Sequence, residues 1–124
     1  MTLPRNRQQV LSYLNYMQDG NIDAALALTH DNVRFWMPGT GELSKQALKS
    51  FFDEVGPMIE SMTFTIHGII EQSDRLAVEA SGIGHLSNGK TYENEYHFLF
   101  EMQDGLIVVM KEYADTAPAA VFFE

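Results

Sequence analysis

The segment from Thr91 to Asp115 restricts the fold more than any other part of the chain, because it predicts two long β-strands joined by one tight turn. The dipeptide Asp104-Gly105 between the strands is typical of hairpin turns. Before the turn, side chains alternate at the period of two expected for a strand with one buried face. The face predicted to be buried carries Tyr92, Asn94, Tyr96, Phe98, Phe100 and Met102.

The type of turn decides which residue lies opposite Glu112, the one carboxylate on the more apolar face of the second strand. A two-residue turn places Glu112 opposite His97, whereas a three-residue turn with a bulged Gly105 places it opposite Tyr96. A slip of one residue exchanges the two faces completely. Only the bulged register unites the apolar faces of both strands, so it is preferred, and it predicts that Glu112 and Tyr96 are neighbours.

The remaining elements are predicted from periodicity, caps and breakers. Helices are expected at about residues 4–18, 21–28 and 44–55, and strands at about 33–37, 62–71 and 75–86. Helices followed by an antiparallel meander predict an α+β domain, in which a strongly curved sheet wraps the first helix and encloses a pocket. At 124 residues the chain is long enough for one domain, spanning residues 1–124, with a core of its own.

Composition excludes several classes of partner and site. Lys and Arg total 8 against 17 Asp and Glu, a net charge of -9 that repels nucleic acid and anionic membranes. The absence of cysteine excludes thiolate chemistry and is typical of a cytoplasmic protein, and no apolar stretch is long enough to span a membrane. The four histidines lack metal-ligand spacing and no nucleotide motif is present, so neither a metal nor a cofactor is predicted.

The order of elements, together with NGKTYENEYHFLFEMQDGLIVVMKEYADT at the hairpin and HDNVRFWMPG after the second helix, resembles the NTF2-like superfamily. Within it, the chain is most similar to SnoaL-like, ketosteroid-isomerase-like proteins. The resemblance covers nearly the whole chain and implies a cone-shaped domain that forms a homodimer through its outer sheet face. The apolar contacts of that face are expected from His67, Ile69, Ile107 and Val109.

The branches of this superfamily imply different chemistry. Ketosteroid isomerases place an Asp before a Pro at the end of the first strand, where this chain has Met37, so that base is missing. Limonene-type epoxide hydrolases carry an Arg-x-Asp on the third long strand and a second Asp on the last. This chain has Glu79-x-Ser81 and Glu112 there, so hydrolysis is the weaker branch. Polyketide cyclases pair a last-strand acid with a histidine, approximated here by Glu112 with His97 or His67.

Glu112 is the leading catalytic candidate. Burial among apolar neighbours would raise its pKa and make it a general acid or base near neutral pH, with Tyr96 orienting a substrate oxygen. The alternative is a structural carboxylate at the strand end, paired with Lys111 or Arg34. The resemblance places Glu79 inward as a second carboxylate that shares the acid and base roles; the alternative is an exposed glutamate on the sheet.

The remaining candidates are predicted to bind ligand. Asn94 is unusual in a strand and is predicted to anchor a ligand, with a structural hydrogen bond as the alternative. Trp36 and Tyr92 are predicted to line the pocket mouth, with plain core packing as the alternative. Tyr13 echoes the helix-one tyrosine of ketosteroid isomerases, a place that Tyr16 also fits.

These residues predict an enzyme that isomerises, cyclises or dehydrates a small apolar molecule bearing oxygen. The alternative is a non-catalytic ligand-binding or dimeric assembly domain with a vestigial pocket.

Overall fold

The computed structural model describes residues 5–124, which form three α-helices, one six-stranded sheet and two short 3-10 segments. The helices are α1 (Arg5–Gln18), α2 (Ile22–Leu26) and α3 (Lys45–Val55). The strands are β1 (Thr29–Met37), β2 (Gly41–Leu43), β3 (Ile59–Gln72), β4 (Arg75–Leu86), β5 (Thr91–Gln103) and β6 (Leu106–Ala114), and the 3-10 segments are Gly56–Met58 and Ala117–Phe123. The predicted α+β class is confirmed. The predicted start of the first helix at residue 4 lies outside the described residues.

Local signals in the sequence set the helix ends. Gly20 adopts a φ of +75°, which suits the end of α1. The side chain of Asn21 accepts a hydrogen bond from the backbone N–H of Ala24 at 3.3 Å and caps α2. Ser44 caps α3 in the same way, by accepting from the N–H of Ala47 at 3.1 Å. Among residues 5–124, no helix has both the length and the apolar character that crossing a membrane requires.

The sheet has the order β2-β1-β6-β5-β4-β3. Strands β3 to β6 pair antiparallel with their neighbours in sequence, which confirms the predicted meander. The pairing of β1 with β6 is parallel, with Phe35 beside Met110, and β2 folds back onto β1. Neither β2 nor its pairing was predicted, because three residues are too few to show a period. The sheet is curved and open, since its edge strands β2 and β3 do not pair with each other.

Helix α1 packs on the inner face of the curved sheet and supplies the middle of the core. Its buried residues Val10, Tyr13 and Leu14 lie in one cluster with side chains from the sheet and from α3. The largest fully buried members of this cluster are Tyr13, Phe35, Phe100, Leu48, Leu76, Ile107, Val10 and Val78. The inner face is therefore mostly apolar, so the polar groups on it are the exceptions that need an explanation.

The hairpin turn differs from the preferred prediction. Asp104 and Gly105 have φ values of +54° and +79°, and Gln103 lies opposite Leu106. These values identify a two-residue primed turn, so the predicted three-residue turn with a bulged Gly105 is wrong. The primed turn is favoured because its twist matches that of the two strands it joins.

A bulge further along the hairpin then changes the register. Met102 lies opposite Ile107 but Glu101 lies opposite Val109, so β6 contains one extra residue at Val108. The extra residue places Glu112 opposite Phe98. The preferred prediction of Tyr96 as its partner is therefore wrong, and so is the alternative, His97. The prediction that Glu112 shares the aromatic face of β5 is nevertheless confirmed. A shift of one residue moves every side chain of β6 to the other face, and the bulge at Val108 causes this shift in place of the predicted bulge at Gly105.

Candidate functional site

Glu112 faces inward from β6 among apolar side chains. It lies opposite Phe98, and it keeps part of its surface exposed. Burial raises the pKa of Glu112 to about 7. Within the described part of the chain, neither Lys111 nor Arg34 forms an ion pair with it, so the structural alternative of a paired carboxylate is not seen. Glu112 is therefore a largely buried carboxyl group without a charged partner among the described residues.

Tyr13 brings a phenol from α1 toward the same region. It is 1% exposed and packs edge-on against Phe100, with ring centroids 5.8 Å apart. Burial, and secondarily the charge of Glu112, raises the pKa of Tyr13. Within residues 5–124 its hydroxyl has no hydrogen-bond partner. A buried unpaired hydroxyl is costly and rare, so this group is available to a ligand oxygen or a water.

Tyr96 provides a second phenol on the same inner face. It lies opposite Ala114, one inward position along β5 from the partner of Glu112. Its ring stacks on Phe98 at 5.2 Å and 9°, and its hydroxyl donates to that of Tyr92 at 3.3 Å. The pKa of Tyr96 is raised first by burial, then by its hydrogen bond to Tyr92, and also by the charges of Tyr92 and Glu112. Tyr96 and Glu112 are thus close, but diagonally rather than directly opposite.

Asn94 holds Tyr92 in place. Its side-chain N–H groups donate to the hydroxyl of Tyr92 at 2.8 Å and to the backbone carbonyl of Asp115 at 2.7 Å. Its side-chain oxygen accepts from the backbone N–H of Glu95 at 2.9 Å. Both donors are occupied, which favours the structural alternative for Asn94. Tyr92 itself packs on Phe122 of the C-terminal 3-10 segment, with ring centroids 5.3 Å apart.

Glu79 and Trp36 do not join this group. The prediction that Glu79 faces inward is wrong, whereas the prediction that Trp36 lines a pocket mouth stays a prediction. Glu79 is exposed on the outer face beside His97, because the pairing of β4 with β5 runs without the bulge at Gly82 or Gly84 that would have reversed it. Trp36 pairs with Lys111 and packs on Tyr113, with ring centroids 5.0 Å apart. Outward-facing Glu79 and His97 line a surface depression of about 310 Å³.

Bulges in β3 and β6 also move two of the four residues that were predicted on the outer sheet face to the inner face. A bulge at His67 turns Ile69 inward against Val78, and the bulge at Val108 leaves Ile107 fully buried. Val109 points outward but is only 7% exposed. His67 stays on the outer face, hydrogen-bonded to Ser81 at 2.9 Å. In the part of the chain that the structure covers, no three His, Cys, Asp or Glu side chains are arranged to hold a metal ion.

Sequence reasoning missed the contact of the C-terminal segment with Tyr92. Phe122 lies in a seven-residue 3-10 segment, too short and irregular to give a periodic signal. The inward position of Tyr13 does have a signal, because Val10, Tyr13, Leu14 and Met17 recur at helical spacing.

Comparisons with known proteins identify the family and the fold of this chain. Residues 10–110 match the family model of the SnoaL-like domain. A search of curated proteins finds no match. Among solved structures, TerC co-crystallised with polyporic acid is similar, with a TM-score of 0.82, 23% identity, and coverage of 96% of this chain and 98% of TerC.

Two further solved structures have the same fold. An NTF2-like protein from Burkholderia pseudomallei matches with a TM-score of 0.83 and 19% identity, covering 97% of this chain and 98% of its own. An LEH-like epoxide hydrolase from M. tuberculosis matches with a TM-score of 0.79 and 16% identity, covering 95% of this chain and 88% of its own. At these identities the likeness shows the fold and not the reaction. The chain therefore belongs to the SnoaL-like family and has the NTF2-like fold.

Proposed function

We propose that this protein is an enzyme that moves a proton within a small, apolar substrate bearing a carbonyl oxygen. Glu112 is the acid–base group. Tyr13 donates a hydrogen bond to the substrate oxygen, and Tyr96 does so by turning toward it the one hydroxyl hydrogen that it otherwise donates to Tyr92 at 3.3 Å. The observation that carries the proposal is a carboxyl group with a pKa of about 7 near a buried phenol that has no partner in the described chain. Buried polar groups whose pKa values are strongly perturbed are candidates for catalysis.

The chemistry follows from the protonation states. With a pKa of about 7, Glu112 is near half ionised at neutral pH and can both take and return a proton. Removing a proton from the carbon next to a carbonyl places negative charge on the oxygen. The pKa values of both phenols are raised, so they keep their hydrogens and can donate to that oxygen. Return of the proton by Glu112 to another carbon completes an isomerisation.

The outward position of Glu79 narrows the choice of reaction. A hydrolysis that divides the acid and base roles between two carboxylates would need Glu79 beside Glu112, and Glu79 faces outward. Transfer of a proton between two carbons of a substrate needs only one carboxylate. Isomerisation, or cyclisation through the same enolate, is therefore favoured over epoxide hydrolysis. The polyporic acid complex of TerC supports a small-molecule ligand for this fold.

Deuterium exchange tests the proposal without knowledge of the natural substrate. Terpenoid, steroid and polyketide-like ketones are incubated with the protein in D2O, and proton NMR follows exchange beside the carbonyl. Wild type and Glu79→Gln are expected to accelerate exchange of at least one ketone, and Glu112→Gln is expected to lose about 100-fold or more. No exchange with any ketone, or equal exchange by Glu112→Gln, would remove the proposal.

A second candidate function is assembly as a homodimer through the outer sheet face. It is favoured by three apolar side chains that stay exposed there: Ile70 at 74%, Ile83 at 45% and Tyr113 at 44%. Light scattering is expected to give a dimer that Ile83→Lys dissociates. Phe123→Lys is the matched control, because Phe123 is 81% exposed in the C-terminal segment. A wild-type monomer would exclude this candidate.

A further inference from the structure

We propose that Gly82 is a positioning residue for Tyr96, and that the absence of a side chain at this position fixes where the Tyr96 hydroxyl lies. The functional part of this inference rests on the role proposed above for Tyr96. Gly82 does not itself bind substrate. Its backbone is not in the left-handed region, so a glycine is not needed there for conformational reasons. The requirement is therefore one of space.

The Tyr96 ring leans along the inner face over the backbone of β4. Gly82 lies opposite Asn94, and Tyr96 lies opposite Ala80 one inward position away. A Cβ atom at Gly82 would lie 2.8 Å from Cε2 of Tyr96 and 3.2 Å from two ring atoms of Phe64. Side-chain carbons do not approach so closely, so an added methyl group must displace a ring.

The ring has little freedom to move away. Phe98 stacks on Tyr96 with ring centroids 5.2 Å apart, and Phe64 packs edge-on against it at 5.6 Å. Phe64 also packs edge-on against Phe98 at 6.1 Å. A tilt of the Tyr96 ring therefore moves its hydroxyl relative to Tyr92, to which it donates at 3.3 Å, a distance already long for a hydrogen bond between hydroxyls.

Gly84 supplies a matched control. It lies two residues further along β4, on the same inner face, opposite Tyr92. A Cβ atom there would meet Met62, with Cε at 3.0 Å, and this flexible thioether end can shift. Gly84→Ala thus introduces the same methyl group into the same strand without touching an aromatic ring.

The first measurement is NMR of protein with 13Cζ-labelled tyrosine. The chain has five tyrosines, so five signals are expected, and Tyr96→Phe identifies the one from Tyr96. Gly82→Ala is expected to shift the Tyr96 signal, and Gly84→Ala is expected to leave it in place. An unshifted Tyr96 signal in folded Gly82→Ala overturns the inference, and this result does not depend on any catalytic activity.

The second measurement uses a ketone that wild type exchanges. Gly82→Ala is expected to slow exchange on the order of 10 to 100-fold, as a misplaced catalytic group does, and about as much as Tyr96→Phe. In the Tyr96→Phe background, Gly82→Ala should have no further effect, because the hydroxyl that it misplaces is already gone. Additive losses would refute a role through that hydroxyl. If Gly82→Ala alone does not fold, the added change Tyr96→Ala must restore folding; failure to do so also overturns the inference.

Discussion

Replacing Glu112 by glutamine is expected to stabilise the protein above pH 7 and to change its stability little at pH 4. Burial raises the pKa of Glu112, so the folded state binds its proton more tightly than the unfolded state does. Between the unfolded and folded pKa values the native state holds more protons, and stability falls as pH rises through this range. Glutamine does not ionise, so the unfolding free energy of the variant does not fall with the ionisation of residue 112.

The size of the effect follows from the two pKa values. A glutamate with the ordinary value of 4.5 that is raised to about 7 loses about 3 kcal/mol of stability on ionisation, at 1.36 kcal/mol per pKa unit. This is an upper limit, because Glu112 keeps part of its surface exposed. For a chain of 124 residues it corresponds to a rise in Tm of up to about 10 °C for Glu112→Gln at pH 8.

Urea unfolding followed by circular dichroism at pH 4, 6 and 8 measures the effect. The difference in unfolding free energy between Glu112→Gln and wild type should grow from near zero at pH 4 to its full size at pH 8. Glu79→Gln makes the same change of charge on the exposed face of the same sheet, so its difference from wild type at each pH serves as the reference. Curves for wild type and Glu112→Gln that stay parallel across this range would refute the reasoning.

Three further predictions follow from contacts in the structure. Tyr13→Phe removes a buried hydroxyl without a partner among residues 5–124, so urea unfolding should show unchanged stability or a gain of about 1 kcal/mol, while ketone exchange falls. Asn94→Leu leaves the Asp115 carbonyl and the Glu95 N–H without their partner, and a loss of about 2 to 3 kcal/mol is expected in the same assay; a loss below about 0.5 kcal/mol would contradict the bonds seen. Gly105→Ala should cost about 1 kcal/mol, because φ at this position is +79°, and an unchanged urea midpoint would argue against the primed turn.

The sequence predicts which side chains of the hairpin share a face better than it predicts which pairs lie opposite each other. Alternation with period two is a strong local signal within each strand, and matching the apolar faces of the two strands places Tyr96, Phe98 and Glu112 together. The register depends on the bulge at Val108, a residue that has no special backbone preference and sits inside an apolar run. The parallel neighbour β1 comes from the other end of the chain, so its effect on β6 has no local signal.

For Glu79, in contrast to the hairpin register, the local sequence pattern alone indicates the correct face of the sheet. Leu76, Val78 and Ala80 alternate inward along β4, which places Glu79 outward without any further assumption. The inward prediction came from the resemblance to a family of enzymes with a charged group on this strand. An alternating pattern reports burial in this chain directly, whereas a family comparison carries over a position whose chemistry can have changed.

Two polar groups on the inner face show how a structural role differs from a functional one. Asn94 is 9% exposed and engages its two donors and its acceptor in hydrogen bonds between 2.7 and 2.9 Å, as a buried group that only supports the fold should. Tyr13 is buried more deeply, yet in the described chain its hydroxyl is unpaired, and its pKa responds to the charge of Glu112. Selection for stability alone would give such groups partners or replace them. The unpaired hydroxyl of Tyr13 and the buried carboxyl group of Glu112 both lower the stability of the fold, and this cost is the physical argument that a ligand binds between them.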